Sequence, residues 1–99
     1  MKILKNGSKT VPTGSSEPLE VSPGTKGLYV FVLNPPTNAG TIRVGAQADV
    51  DAGAGIPLGP GASYKFEALL DPAGGYETSQ IFVKGTVAEA IDFMAEGRA

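Results

Sequence analysis

Hydrophobic residues in this chain mostly alternate with polar ones over short runs, the period-two signature of half-buried strands. Residues 41–45, TIRVG, put Ile42 and Val44 on one side and Thr41 and Arg43 on the other. Residues 63–69 put Tyr64, Phe66 and Ala68 on one face and Lys65 and Glu67 on the other. Residues 80–84 read as a further strand, and residues 19–21 as a short one whose start Pro18 places at a sheet edge. Residues 28–33, LYVFVL, form the most apolar run, rich in β-branched and aromatic residues and bounded by Gly27 and Asn34-Pro35-Pro36. A strand is expected there, with Tyr29, Phe31 and Leu33 facing one way and Leu28, Val30 and Val32 the other. An antiparallel sheet ordinarily needs cover on one face only. Two apolar faces therefore indicate either a central strand packed on both sides or a face that meets an arm or another subunit. Leu28, Val30 and Val32, with the loop residue Tyr76, are the candidate interface.

Between these runs lie turn signals. Asn6-Gly7 separates two β-compatible stretches in residues 2–11 and suits a type I′ turn, so a hairpin or turned arm is expected. Residues 12–18, 22–27, 46–55 and 71–79 read as loops or turns from their Gly, Pro, Ser, Thr and Asp content. The stretch GIPLGPGASYKFE, 55–67, is the most heavily punctuated. Gly55 releases the chain from the preceding loop, and Ile56 and Leu58 share a side. Pro57 restricts pairing to an edge, while Gly59, Pro60 and Gly61 form a corner with Pro60-Gly61 central in a type II turn. Residues 86–97, TVAEAIDFMAEG, are ambiguous. Thr86 and Glu89 make a capping box, Val87, Ala90, Ile91 and Met94 share a helical face, and Gly97 is a stop signal. Alternation there is less clean, and local rules alone favour a helix. The whole pattern predicts one all-β domain, a small antiparallel β-sandwich or barrel-like fold. Residues 1–18 are expected as an N-terminal arm or hairpin, and residues 19–96 as the sandwich.

Composition narrows the chemistry. Fourteen glycines and eight prolines in 99 residues fit a turn-rich domain, and 41% hydrophobic content with a net charge of −2 argues against disorder. Eight scattered Lys and Arg form no basic stripe, so no nucleic-acid partner is expected. No apolar run approaches the roughly 20 residues of a membrane span, and MKILKNG is too short for a signal peptide's apolar region. Histidine and cysteine are both absent, which removes the commonest general base, the usual zinc ligands and the thiol nucleophile. Ser63 with Lys65, or a pair among Asp49, Asp51, Glu67, Asp71 and Glu77, is all that remains for catalysis. These read better as ordinary strand-surface and loop residues. Asp49-Val-Asp51-Ala-Gly53 resembles the start of a calcium loop, but Gly53 and Pro60 occupy positions that require ligands. The glycines follow no phosphate-binding pattern. No catalytic, metal or cofactor site is expected.

The order of these pieces is informative. A strand ending in Asn-Pro (33–35) is followed by TIRVG, an Asp/Ala/Gly loop (49–55), GIPLGPGASYKFE, IFVKG (81–85) and a last apolar strand. This succession resembles the small β-sandwich virion proteins of tailed bacteriophages, which serve as capsid decoration (cement) proteins, head fibres and related accessory modules. The likeness covers roughly residues 28–94; Ile81-Phe82-Val83 stands where the family pattern has Ile-Tyr-Val. It implies that 87–94 is the closing strand, paired with 80–84 through a tight Gly85-Thr86 turn. It also implies a non-catalytic structural protein on the outer surface of the phage head, made in the host cytoplasm and bound to the major capsid protein. A homo-oligomer, by preference a trimer, follows from the family and not from these residues. The alternative is a receptor- or carbohydrate-binding accessory module of a fibre, tail or baseplate, centred on Tyr76 in its loop.

Overall fold

The computed structural model of the protein describes residues 2–67 and 76–97. Its strands are β1 (Lys2–Thr10), β2 (Glu17–Pro18), β3 (Lys26–Gly27), β4 (Tyr29–Leu33) and β5 (Ile42–Gly45), then β6 (Ile56–Leu58), β7 (Ser63–Glu67), β8 (Tyr76–Glu77), β9 (Phe82–Gly85) and β10 (Ala90–Gly97). One α-helical turn, α1 (Gln47–Asp51), and one 3-10 turn (Thr78–Gln80) complete the described elements. All the strand pairs are antiparallel. They build a sheet in the order β1-β10-β4-β7, a second in the order β2-β9-β5-β6, and a small β3-β8 ribbon. The fold is the expected all-β sandwich.

Alternation explains the core. Val30 and Val32 of β4 stand beside Ala95 and Phe93 of β10, and Val44 of β5 beside Val83 of β9. These six join Val11, Leu19, Ile42, Leu58, Ile81 and Ile91 in one buried cluster between the sheets. Burying each of its Val, Leu, Ile and Phe side chains is worth about 1.5–3 kcal/mol, so the layer supplies the main stabilisation of a chain this small.

Four local expectations are corrected. Asn6-Gly7 is not a turn: β1 runs straight through it, with Asn6 opposite Met94 and Gly7 opposite Phe93. A Cβ on Gly7 would stand 2.7 Å from Cζ of Phe93, so glycine is there for space and not for positive φ. The register shifts between Ile3 and Lys5 instead, a bulge at Leu4. Next, residues 46–55 include α1, whose Val50 is fully buried, where only loop was expected. The short strand near 19–21 lies earlier, at Glu17–Pro18; Leu19 is buried, while Val21 is 82% exposed.

The fourth correction concerns the last segment. It is a strand, as the family likeness implies, but β9 lies in the second sheet and β10 in the first. Residues 86–89 therefore cross between sheets, and β10 pairs with β1 and β4 rather than with 80–84. Ile91, Phe93, Ala95 and Gly97 are buried in strict alternation. The capping-box carboxylate serves another purpose: Glu89 accepts hydrogen bonds from the backbone N–H groups of Ala39 (2.9 Å) and Gly40 (2.9 Å). Burial of every second residue between two neighbouring strands outweighs a local helical preference of a few tenths of a kcal/mol per residue, about the spread of ordinary propensities.

One flank of the sandwich is closed by charge. Lys5 and Lys9 lie on the same side of β1 as Gly7, toward the second sheet. Lys9 Nζ is 2.6 Å from Glu17 Oε1, and Lys5 Nζ is 3.7 Å from Glu20 Oε2. Inward-pointing lysines on an edge strand also discourage pairing with another chain's edge.

Candidate functional site

Chemistry-bearing side chains are thinly spread. Ser63 begins β7, exposed, and Lys65 lies on the opposite face from the core, its Nζ 4.8 Å from the centroid of the Tyr29 ring and 4.0 Å from Glu67 Oε1. Neither arrangement makes a nucleophile and base. Asp49 and Asp51 belong to α1. Asp51 accepts a hydrogen bond from the Ser16 N–H at 2.6 Å, and Glu77 accepts from Ser79 Oγ (2.6 Å) and the Gly24 N–H (3.1 Å). Asp71 lies outside the described residues, as do Ala68, Leu69 and most of the expected 71–79 loop. Among the described residues no three His, Cys, Asp or Glu side chains are placed to share a metal ion.

Several carboxylates instead hold loops. Glu20 Oε1 accepts from Thr78 Oγ1 (2.6 Å) and the Thr25 N–H (3.2 Å). The Thr78 hydroxyl is the main cause that holds its carboxyl below the usual value near 4.5; Thr25 and Lys5 add to it, while partial burial opposes it. Glu77 is lowered chiefly by the Ser79 hydroxyl, and Asp51 chiefly by the Ser16 N–H. Folded-state values below the unfolded ones mean stability that is complete above about pH 4.5 and lost as pH falls further. Thermal denaturation should therefore show a fall in Tm below that pH, and Glu20→Gln should flatten it. An acid limb identical in the variant would remove Glu20 from the account.

The corner at 55–61 is structural. Gly55 and Gly61 have φ of +85° and +84°. The Ala62 N–H donates to Gly59 O at 2.9 Å across Pro60-Gly61, as a type II turn requires. Pro57 lies opposite Arg43 on β6, the outermost strand of its sheet, where a missing N–H costs no ladder bond. Asn34 anchors this end of the fold. It is fully buried, its Nδ2 donates to Gly40 O (2.9 Å) and Leu58 O (2.8 Å), and its Oδ1 accepts from Asn38 Nδ2 (2.8 Å). Its backbone accepts from the Gly61 N–H (2.7 Å) and donates to Ala62 O (2.9 Å). Sequence reasoning passed over Asn34 as strand punctuation; an amide directly before Pro-Pro, at the end of the most apolar run, was its only signal.

The candidate interface is relocated by burial. Val30 and Val32 are 0% exposed between the sheets and present nothing to a partner, and Leu28 is half-buried. The opposite face of β4 carries the available apolar surface. Phe31 lies between Met94 and Lys65, Leu33 between Asp92 and Ser63, and Tyr29 between Glu96 and Glu67. Tyr29, Phe31, Leu33 and Met94 are all partly exposed. Asn6, Ser8 and Asp92 rim the adjoining shallow concavity, and Ser8 Oγ donates to Asp92 Oδ1 at 2.6 Å. Tyr76 is elsewhere: it belongs to β8, with its ring 5.4 Å from Phe66, which in turn lies 4.9 Å from Tyr64.

What the arrangement can do is bind by shape, with an apolar strip on a rigid sheet and charges around it. No protein-family model, curated protein or solved structure matches the chain.

Proposed function

We propose that the protein is a non-catalytic structural virion protein, a capsid decoration protein that binds the outer surface of a tailed-phage head and stabilises it. The resemblance of the 28–94 segment order supports the class. The observation that carries the docking role is the strip of Tyr29, Phe31, Leu33 and Met94 on the outer face of the first sheet, rimmed by Asp92, Glu96, Lys65 and Glu67. A partly exposed apolar centre with a charged rim is the anatomy of a protein interface. In this reading the major capsid protein covers the strip, and modest contacts repeated over a lattice give avidity without any reactive group. The family likeness, rather than any residue here, favours trimers.

Phe31→Asp places a charge in the middle of the strip and leaves the inner face intact. The variant is expected to keep its circular dichroism and melting behaviour but to bind expanded capsids at least about tenfold more weakly, the scale of one central anchor. Binding at the parent's stoichiometry and affinity would overturn the docking face. Particles carrying only a few copies at a single vertex would overturn the decoration role.

A second reading, a carbohydrate-binding accessory module, draws on the Tyr64–Phe66–Tyr76 cluster, whose two tyrosines are 40% and 38% exposed. Aromatic faces of this kind stack on sugars. Saturable glycan binding abolished by Tyr76→Ala and Tyr64→Ala would favour it over the first.

A further inference from the structure

The outer face of the second sheet carries an arrangement that neither reading uses. Arg43 of β5 and Lys84 of β9 are direct cross-strand partners. They point to the same side, away from Val44 and Val83, which are buried between the sheets. Like charges placed directly opposite each other repel. The neighbour of Arg43 on the other side is Pro57, which offers no charge. Among the described residues neither cation has a carboxylate oxygen within salt-bridge distance. The acid that feels Lys84 is Asp51, whose Oδ1 is taken by the Ser16 N–H at 2.6 Å. Asp49, the other acid of α1, is exposed.

The pair is not on an open surface. With Thr41, Thr86, Val50, Gly53 and Gly85 it lines a half-enclosed concavity of about 380 Å³. Val50, itself fully buried, makes one wall apolar, and Thr41 and Thr86, joined by a backbone hydrogen bond of 3.2 Å, line it as well. An apolar wall lowers local solvation and strengthens whatever electrostatic contact forms inside. A planar guanidinium fork beside an ammonium matches the needs of a compact oxyanion.

We infer that the concavity between α1 and the β5–β9 pair is a binding site for a tetrahedral oxyanion, phosphate or sulfate, held by Arg43 and Lys84. The occupant relieves the repulsion between the two facing cations. The opposite sheet is not involved, so the site stands whatever that sheet docks against.

The test is a titration of the intact protein with inorganic phosphate and, separately, sulfate, against chloride at equal ionic strength, read by amide chemical shifts and by Tm. Saturable shifts at Thr41, Arg43, Lys84 and Thr86, with a rise in Tm that chloride does not reproduce, are expected; the tighter of the two ions defines the ligand class. Arg43→Gln should weaken binding on the order of tenfold or more, the usual worth of a charge-assisted hydrogen bond. In chloride alone the same variant should melt no lower than the parent, because the repulsion is gone. Lys65→Gln, on the other sheet, should leave the titration unchanged. Shifts that follow ionic strength alone would overturn the site. So would an Arg43→Gln variant that binds as the parent does, or one that loses stability equally in every salt.

Discussion

Asn34→Leu should lower folding stability by about 3 kcal/mol or more, the sum expected when several buried polar groups lose partners at once. For a domain of this size that corresponds to roughly 12–24 °C in Tm. The leucine side chain has the same branched shape and is larger, so no cavity opens. What is lost is pairing. Gly40 O and Leu58 O lose the Nδ2 donor, and Asn38 loses one of its two acceptors while keeping Ala90 O. Leu58 O is buried, so water cannot take the vacated place. Asn34→Asp separates hydrogen bonding from shape. It keeps an acceptor for Asn38 but aims a buried negative charge at two carbonyls, so it should be destabilising at pH 7 and partly recover on acidification. Chemical denaturation of the three proteins reads the effect. A loss under about 1 kcal/mol for Asn34→Leu, the worth of a single ordinary hydrogen bond, would show that the amide is not the anchor of this end.

The second large effect contrasts two glycines with the same backbone geometry. Gly55 and Gly61 have nearly equal φ, +85° and +84°, a region that L residues rarely adopt. At Gly61 the nearest atom to an added Cβ is Cβ of Pro36 at 3.6 Å, an ordinary contact. At Gly55 it is Val44 O at 2.8 Å, with Val50 Cγ2 at 3.2 Å. Gly61→Ala should therefore cost about 1 kcal/mol from conformational strain alone. Gly55→Ala should cost about 3 kcal/mol, because backbone of β5 and the buried side chain of α1 must also move. Equal losses at the two positions, measured as midpoints of thermal or urea unfolding, would mean that the crowding at Gly55 relaxes freely.

Strands with clean alternation were legible from sequence because burial and period agree in them. Ile42 and Val44 point inward and Arg43 outward as TIRVG implies, and the Pro60-Gly61 corner follows from proline and glycine φ preferences. Residues whose local signal matched a different structure were misread. Asn6-Gly7 has hairpin chemistry, yet its glycine makes room for the Phe93 ring, a neighbour more than eighty residues away. Glu89 completes a capping box in sequence and binds the 39–40 backbone in space. Val30 and Val32 were assigned to an interface because both faces of LYVFVL are apolar; nothing local distinguishes the inner face from the outer. Arg43 and Lys84 looked like independent surface cations, since only the β5–β9 register makes them neighbours. Each misreading turns on a contact between distant residues, which a single sequence does not display.

The pairing of β1 with β10 joins Lys2 to Gly97, so the first and last described residues lie side by side at one end of a sheet. Tension applied through these two ends would fall on that first rung alone, then on the next, rather than on the whole ladder together. The sandwich should thus peel open from this corner at low force, although the same strands would resist being slid past each other. Load borne across the faces of the sheets would meet the full core; load borne through Lys2 and Gly97 would meet one hydrogen-bonded pair at a time.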